Sequence, residues 1–339
     1  MSVIANPRHG PVGAALRDIV RLSMKVVLHL GAHRTASTSF QAYLNHNVDE
    51  LSCWGVGVWG PRRTRKGLLS GVMPRMGFGA EVEQFRRARG RIMMHLDQEA
   101  QLGRNTLVVS DENMIGTTRD NLRRGLLYAG IGERMARYAA AFGERLSHVI
   151  LSVRSLDQYW ASAAAFGTGR GHPLQDEDKW AGIATSRRGW RGVITDLACA
   201  LPDIDIHVMP FEHFAGRPDQ MLGIGADCIA PEKGCDTWLN NAPRLEDLRP
   251  LLAERGDRAA ALPRGTGRWM PFTAEQQAAL KMRYAEDMSW LRAGADGLAT
   301  LKQDPDREKA GKTADVIHPN MTDRGRPHGF EERQMARPG

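Results

Sequence analysis

Lys25-Val-Val-Leu-His-Leu-Gly-Ala-His-Arg-Thr-Ala-Ser-Thr-Ser39 decides the fold. Lys25 to Leu30 has the length and apolar character of a buried strand and runs straight into Gly31; from Thr35 to Leu44 the residues Phe40, Tyr43 and Leu44 recur at helical spacing. A strand, a loop and a helix in direct succession place the free N–H groups of a helix start, and the positive end of its dipole, at the end of a strand. Such a junction is a cradle for a phosphate-like anion. It is not a Walker A loop: G-x-x-x-x-G-K-[ST] needs Gly and Lys where the chain has Ala36 and Ser37, which disfavours ATP or GTP hydrolysis.

Outward from this unit the same alternation continues. Cys53 to Trp59 is apolar and leads into basic Arg62 to Lys66; the Gly- and Met-rich residues 67–79 read as surface loop rather than core. An amphipathic helix is predicted over Glu81 to Leu102, a buried strand over Asn105 to Ser110, a helix over Glu133 to Phe142 and a strand over Ser147 to Val153. The next helix begins at Ser155, where Ser155 and Gln158 fit a capping box. Helical spacing resumes from Asp176 to Leu201, then a strand at Asp205 to Met209, a short helix at Pro218 to Leu222, and helices at Leu245 to Glu254 and Thr273 to Leu291. Strands that are apolar throughout and alternate with helices indicate a parallel sheet covered on both faces.

The chain divides into an extension over 1–24, one α/β domain over 25–302, and a tail over 303–339 whose polar, aliphatic-poor composition reads as disordered. Over 339 residues, 42% hydrophobic and 25% charged, the composition is that of a globular enzyme-sized protein. Cys53, Cys199, Cys228 and Cys235 form no C-x-x-C spacing, and no early apolar run approaches the ~20 residues of a membrane span, so cytoplasm is the expected compartment. The net charge of +7 is matched by Arg62 to Arg91 alone, where nine basic residues face Glu81 and Glu83. That excess suits an anionic ligand or polymer, and equally a solvated helix face beside a basic loop.

The loop resembles that of the sulfotransferases that use 3′-phosphoadenosine 5′-phosphosulfate (PAPS). In many bacterial members it reads H-K-T-G-T-T-S followed by a glutamine, and His33-Arg-Thr-Ala-Ser-Thr-Ser39 with Gln41 is similar to it. The resemblance implies a three-layer P-loop α/β fold with a central parallel sheet. It implies that Arg34 stands at the position of the family's phosphosulfate lysine, with Gly31, Thr35, Ala36, Ser37, Thr38 and Ser39 lining the 5′ end of the donor. The family's arginine at the end of a later strand, with a serine eight residues on, grips the 3′-phosphate; Arg154 and Ser162 reproduce that spacing.

Two departures stand out. Ala36 replaces a glycine, so its methyl group is expected either to crowd the phosphate or to demand a φ angle that alanine dislikes. Arg34 cannot give up a proton, but a leaving phosphate oxygen of pKa near ~6 needs positive charge rather than a proton. The acceptor still needs a base. Ser110-Asp-Glu-Asn113 follows a predicted strand, and the resemblance makes Glu112 the base candidate, with His33 as the alternative base or as a holder of the loop. The structural reading is that Asp111 or Asn113 caps a helix and Glu112 is solvated.

The function implied is in-line transfer of a sulfuryl group from PAPS to a hydroxyl or amine of a small-molecule or carbohydrate acceptor, with no metal, nucleic acid or membrane span involved. The alternatives are a nucleotide-dependent kinase of the same topology and a non-catalytic binder of anionic glycans through residues 62–91. Weaker marks are Phe211-Glu212 with Arg217-Pro218, the loop Pro263-Arg-Gly-Thr-Gly-Arg-Trp269, which suits a phosphate or a plain surface turn, and Trp190, read as a stacking residue or an exposed helix turn among arginines. His29 is expected to pack at the first strand.

Overall fold

A computed structural model describes residues 24–74, 81–256 and 262–303. The proposed extension, apart from Met24, and the proposed tail from residue 304 onward lie outside the described residues, as do positions 75–80. Met24 belongs to the core, at 1% exposure.

Six parallel strands form one sheet in the order β2-β3-β1-β4-β5-β6, with β1 Lys25–His29, β2 Val56–Trp59, β3 Thr106–Ser110, β4 Leu146–Val153, β5 Asp205–Pro210 and β6 Thr300–Leu301. Alternate residues of each strand feed two separate cores. On one face Val27, Val108, Ile150 and Met209 pack with Phe40, Tyr43 and Leu44 of α1 (Ser37–His46), Leu51 of α2 (Val48–Cys53), and Met221 and Leu222 of the helix Pro218–Ala226. On the other, Val26, Leu28, Leu107, Val109, Val149 and Leu151 meet α3 (Glu81–Gln101), α4 (Thr118–Arg124), α5 (Ile131–Phe142), α6 (Leu156–Gly169), α7 (Glu177–Thr185) and α8 (Trp190–Ala200). In chain order Pro218–Ala226 is α9, followed by α10 (Leu245–Glu254) and α11 (Ala274–Arg292). The expected three-layer α/β architecture with a central parallel sheet is present, and burial on both faces explains why its strands read as unbroken apolar runs.

Topology fixes where a ligand would sit. The chain leaves β1 toward β2 and leaves adjacent β4 toward β5, in opposite directions along the sheet, so the loops after β1 and β4 part and open a crevice at the carboxyl edge.

Several local expectations are corrected. The segment after β2 is not surface loop: a helical turn Pro61–Arg63 and a π turn Thr64–Leu68 bury Thr64, Leu68, Leu69 and Val72 against α3 and its neighbours, because Arg91 of α3 donates to the carbonyls of Leu68 and Ser70 and draws the turn inward. The helical run from Asp176 to Leu201 is two helices, broken where Gly189 passes so close to Asp287 that a β-carbon there would lie 2.3 Å from a carboxylate oxygen. Asp287 accepts from the Trp190 N–H (2.6 Å) and so starts α8 in place of a local cap. No capping box forms at Ser155: its hydroxyl turns to Asp157 (2.5 Å), its N–H goes to Glu212 (2.8 Å), and Gln158 accepts from Arg268. Trp190 is fully buried rather than exposed, donating from its indole to the Arg154 carbonyl (2.7 Å).

Candidate functional site

The loop after β1 is held by its own side chains. Thr35 donates to the Ala32 carbonyl (2.5 Å), and the Ser37 hydroxyl lies 3.2 and 3.3 Å from the carbonyls of Gly31 and Ala32. Gly31 has φ +36°, and a β-carbon there would meet His29 at 2.6 Å and Ser37 at 2.7 Å, so this tight entry requires glycine. Arg34 and Ala36 both take left-handed conformations, φ 68° and 63°. Ala36 thus occupies the backbone geometry for which glycine is the unstrained choice, and as N-cap of α1 it offers no side-chain acceptor. The first N–H groups of α1 are left without an intrahelical partner.

A segment distant in sequence covers this helix start. Leu239 N–H donates to Ser39 Oγ (2.9 Å), Asn240 Nδ2 donates to Thr38 Oγ1 (2.9 Å), and the Asn240 carbonyl accepts from Arg34 (2.7 Å). Because Thr38 and Ser39 act as acceptors here, each keeps its own hydroxyl proton to donate elsewhere.

Arg34, Arg154 and Ser162 come together. Arg34 Nε donates to Ser162 Oγ (3.0 Å), its guanidinium lies 4.3 Å from the centre of the Phe166 ring, and Arg154 Nη1 donates to the Arg34 carbonyl (2.8 Å) while stacking on Phe211 (4.3 Å). Ser162 and Phe166 are one helical turn apart on α6, which puts both on the face turned to the loop. No carboxylate lies within ion-pair distance of either guanidinium among the described residues. Burial, reinforced by Arg170 next to Arg34 and by Arg268 next to Arg154, brings both guanidinium pKa values down to about 10. Arg268 belongs to the loop at 263–269, so that loop reaches the site through one residue while Trp269 is buried in the core. The Phe211-Glu212 pair also contributes: Phe211 carries Arg154, and Glu212 joins the start of α6 to Tyr284 (2.8 Å).

Arg34 is thus engaged with Ser162 and the Asn240 carbonyl. It bonds to the serine assigned to the opposite end of the donor.

Glu112 opens a 3-10 turn, Glu112–Ile115, directly after β3. Gln41 donates to one of its oxygens (2.8 Å) and Arg65 to the other (2.9 Å). Burial pushes the Glu112 carboxyl up, but Arg65, His33 and Gln41 outweigh it and hold it below the usual glutamate range. Asp111 does cap the turn, accepting from Asn113 N–H (3.0 Å), and is itself held by Thr64 (2.6 Å) and Arg65 (2.7 Å). Asp111 thus caps as the structural reading has it, but Glu112 is not solvated. Of the basic stretch, Arg63 pairs with buried Glu99 (2.7 Å), Arg65 with this turn, and Arg86 and Arg87 with Glu83. Much of the local charge excess therefore serves internal contacts.

His33 lies between the two clusters. Its N–H donates to the Tyr128 hydroxyl (2.9 Å), its Nδ1 is 3.0 Å from the same oxygen, and its Nε2 is 3.1 Å from the Asn113 side-chain amide. Burial lowers the imidazole pKa despite the nearby Glu112, so the ring is neutral at pH 7. His29 packs beneath the loop on Phe40 and bonds Ser110 (2.8 Å). Comparison with protein-family models, with curated proteins and with solved structures returned no match. Function rests on this geometry.

Tyr128, Asn240 and Arg65 carry no motif that marks them in the sequence. Arg65 alone had a signal, its place in the basic run. Among the described residues no three His, Cys, Asp or Glu side chains are grouped to hold a metal ion, and no helix is long and apolar enough to cross a membrane.

Proposed function

We propose that this chain is a sulfotransferase that moves a sulfuryl group from PAPS to a hydroxyl or amine acceptor. The observation that carries the reading is the convergence of Arg34 and Arg154, both largely buried and with no carboxylate within ion-pair distance, at the carboxyl edge beside the start of α1, whose first N–H groups have no intrahelical partner. Arg34 has no carboxylate within ion-pair distance and Arg154 is only partly balanced by nearby Glu212 and Asp157, so burying the pair costs free energy that a polyanionic ligand recovers. PAPS carries anionic groups at both ends of one adenosine, which suits a site with a guanidinium pair on one side and free helix N–H groups on the other.

In this reading Arg154, Ser162 and Arg268 hold the 3′-phosphate. The first turn of α1, with the proton-bearing hydroxyls of Thr38 and Ser39, holds the 5′ end. Arg34 reaches the bridging oxygen only by exchanging Ser162 Oγ and the Asn240 carbonyl for it, a rotation of one side chain anchored on Phe166. As the bond from sulfur to the phosphate oxygen breaks and the bond from sulfur to the acceptor forms, the acceptor proton passes to Glu112. Two donors already occupy Glu112, and a carboxylate has lone pairs for more. Its lowered pKa keeps it ionised across neutral pH, able to take a proton but a weaker base than an unperturbed glutamate.

Calorimetric titration with 3′-phosphoadenosine 5′-phosphate tests the reading. Arg154→Ala is expected to weaken binding by roughly 2 to 5 kcal/mol, the cost of removing one partner of a buried charged contact. Tighter binding of ATP than of the adenosine bisphosphate would favour a kinase and overturn it.

A further inference from the structure

We infer that Tyr128 is a positioning residue that fixes His33 as a hydrogen-bond donor, with its ring proton on Nε2, between the β1 loop and the Asp111–Asn113 turn. This rests on the proposed function only for its catalytic consequence; the proton placement follows from counting donors and acceptors.

The Tyr128 hydroxyl has two lone pairs and one proton. His33 N–H takes one lone pair (2.9 Å). Tyr159 O–H takes the other (3.2 Å): Asn121 donates to the Tyr159 oxygen (2.7 Å), and the Tyr128 oxygen is the one acceptor the buried Tyr159 proton meets among the described residues. The Tyr128 proton is then left with one acceptor, His33 Nδ1 at 3.0 Å. A neutral imidazole that accepts at Nδ1 carries its proton on Nε2, which donates to the Asn113 amide oxygen (3.1 Å).

The opposite orientation of Asn113 lets its oxygen accept from Arg65 (3.1 and 3.3 Å), where the first orientation turns the amide nitrogen toward that guanidinium, but it puts an N–H donor on His33 Nε2. The ring proton would then sit on Nδ1, both His33 donors would fill the Tyr128 oxygen, and one of the two buried hydroxyl protons, of Tyr128 or of Tyr159, would have no acceptor. Arg65 has no need of that bond, since Asp111 and Glu112 already accept from it.

The position is strongly constrained. Tyr128 has φ 39°, which a non-glycine residue adopts only when its surroundings impose it. Asn121 accepts from its N–H (3.0 Å), and Arg188, itself paired with Asp196 (2.7 Å), donates to the carbonyls of Leu127 and Tyr128. Its ring stacks on His33 at 5.9 Å and touches Tyr159 and Trp190. A histidine with both nitrogens engaged and its proton facing Asn113 is a donor on the acceptor side of the site. The proton-accepting role falls to Glu112.

The test is 15N spectroscopy of the full chain with labelled histidine, the His33 signals being assigned by their loss in His33→Gln. The expected wild-type spectrum shows a pyridine-type Nδ1 and a pyrrole-type Nε2 for His33. In Tyr128→Phe that pattern mixes or reverses; in Tyr159→Phe, which leaves the Tyr128 proton in place, it persists. A pyrrole-type Nδ1 in the wild type, or an unchanged tautomer in Tyr128→Phe with folding verified by near-UV circular dichroism, overturns the inference. Sulfuryl transfer from PAPS is measured in parallel. With the proposed function, Tyr128→Phe lowers kcat by about tenfold or more while KM for the donor moves less than threefold; the expected tautomer without any transfer refutes the function and leaves the positioning intact.

Discussion

Ala36 shows how one residue type can cost a loop stability without changing its path. At φ 63° and ψ 21° its methyl group sits in the left-handed region, which disfavours a residue with a β-carbon by roughly 1 to 2 kcal/mol. Glycine relieves that cost and returns part of it as unfolded-chain entropy. Ala36→Gly is therefore expected to raise stability by about 0.5 to 1 kcal/mol, read as a higher urea midpoint at constant m-value. Arg34, also left-handed, is not free to follow, because its side chain is bound on Ser162, Asn240 and Phe166. A midpoint that falls in Ala36→Gly would mean that the methyl group makes a packing contact worth more than the strain.

At the scale of elements, two helix starts with capping-box spacing behave differently. Thr273 and Gln276 form one in full at the start of α11, with the Thr273 hydroxyl accepting from Gln276 N–H (3.2 Å) and the Gln276 side chain accepting from Thr273 N–H (3.1 Å). Ser155 and Gln158 have the same spacing, but Glu212 and Arg268 reach the helix start first. Thr273→Ala is expected to cost about 1 kcal/mol, the usual value for a working cap, and Ser155→Ala less than about 0.5 kcal/mol. Equal losses in chemical denaturation would show that the Ser155 hydroxyl stabilises α6 through Asp157. The start of α6 is held by Glu212 from the helical turn after β5 and by Arg268 from the loop at 263–269, so its position is tied to distant elements rather than to itself.

At the scale of the whole molecule, buried histidines link stability to pH. Burial lowers His29 to about 4, Glu112 opposing it, and burial together with neighbouring His207 lowers His148 to about 4. The unfolded chain takes up these protons near pH 6.5, whereas the folded chain does so only near 4, so the unfolded state binds more protons in between. Stability is therefore full above pH 6.5 and falls as pH drops from about 6.5 to 4, by roughly 2 to 3 kcal/mol for each group. His148 and His207 stack at 4.6 Å, and both ring nitrogens face the Gly225 carbonyl, at 2.8 and 3.0 Å, joining α9 to the sheet. Urea midpoints measured between pH 7 and 4 should show this slope, flatter in His148→Phe. A midpoint independent of pH across that range would contradict the burial of both rings.

What the sequence by itself determined are the features that repeat locally: the strands β1, β3, β4 and β5, the bounds of α10, and a loop that joins β1 to a helix start. Periodicity and capping act over a few residues, so they are written in the order of residues. Tertiary structure alone decided that Arg34 bonds Ser162, 128 residues away, and Asn240, 206 residues away, that Trp190 is buried, and that Tyr128 meets His33. Those contacts exist because helices on one face of a parallel sheet bring distant turns to its carboxyl edge, and no local pattern encodes which side chains arrive there.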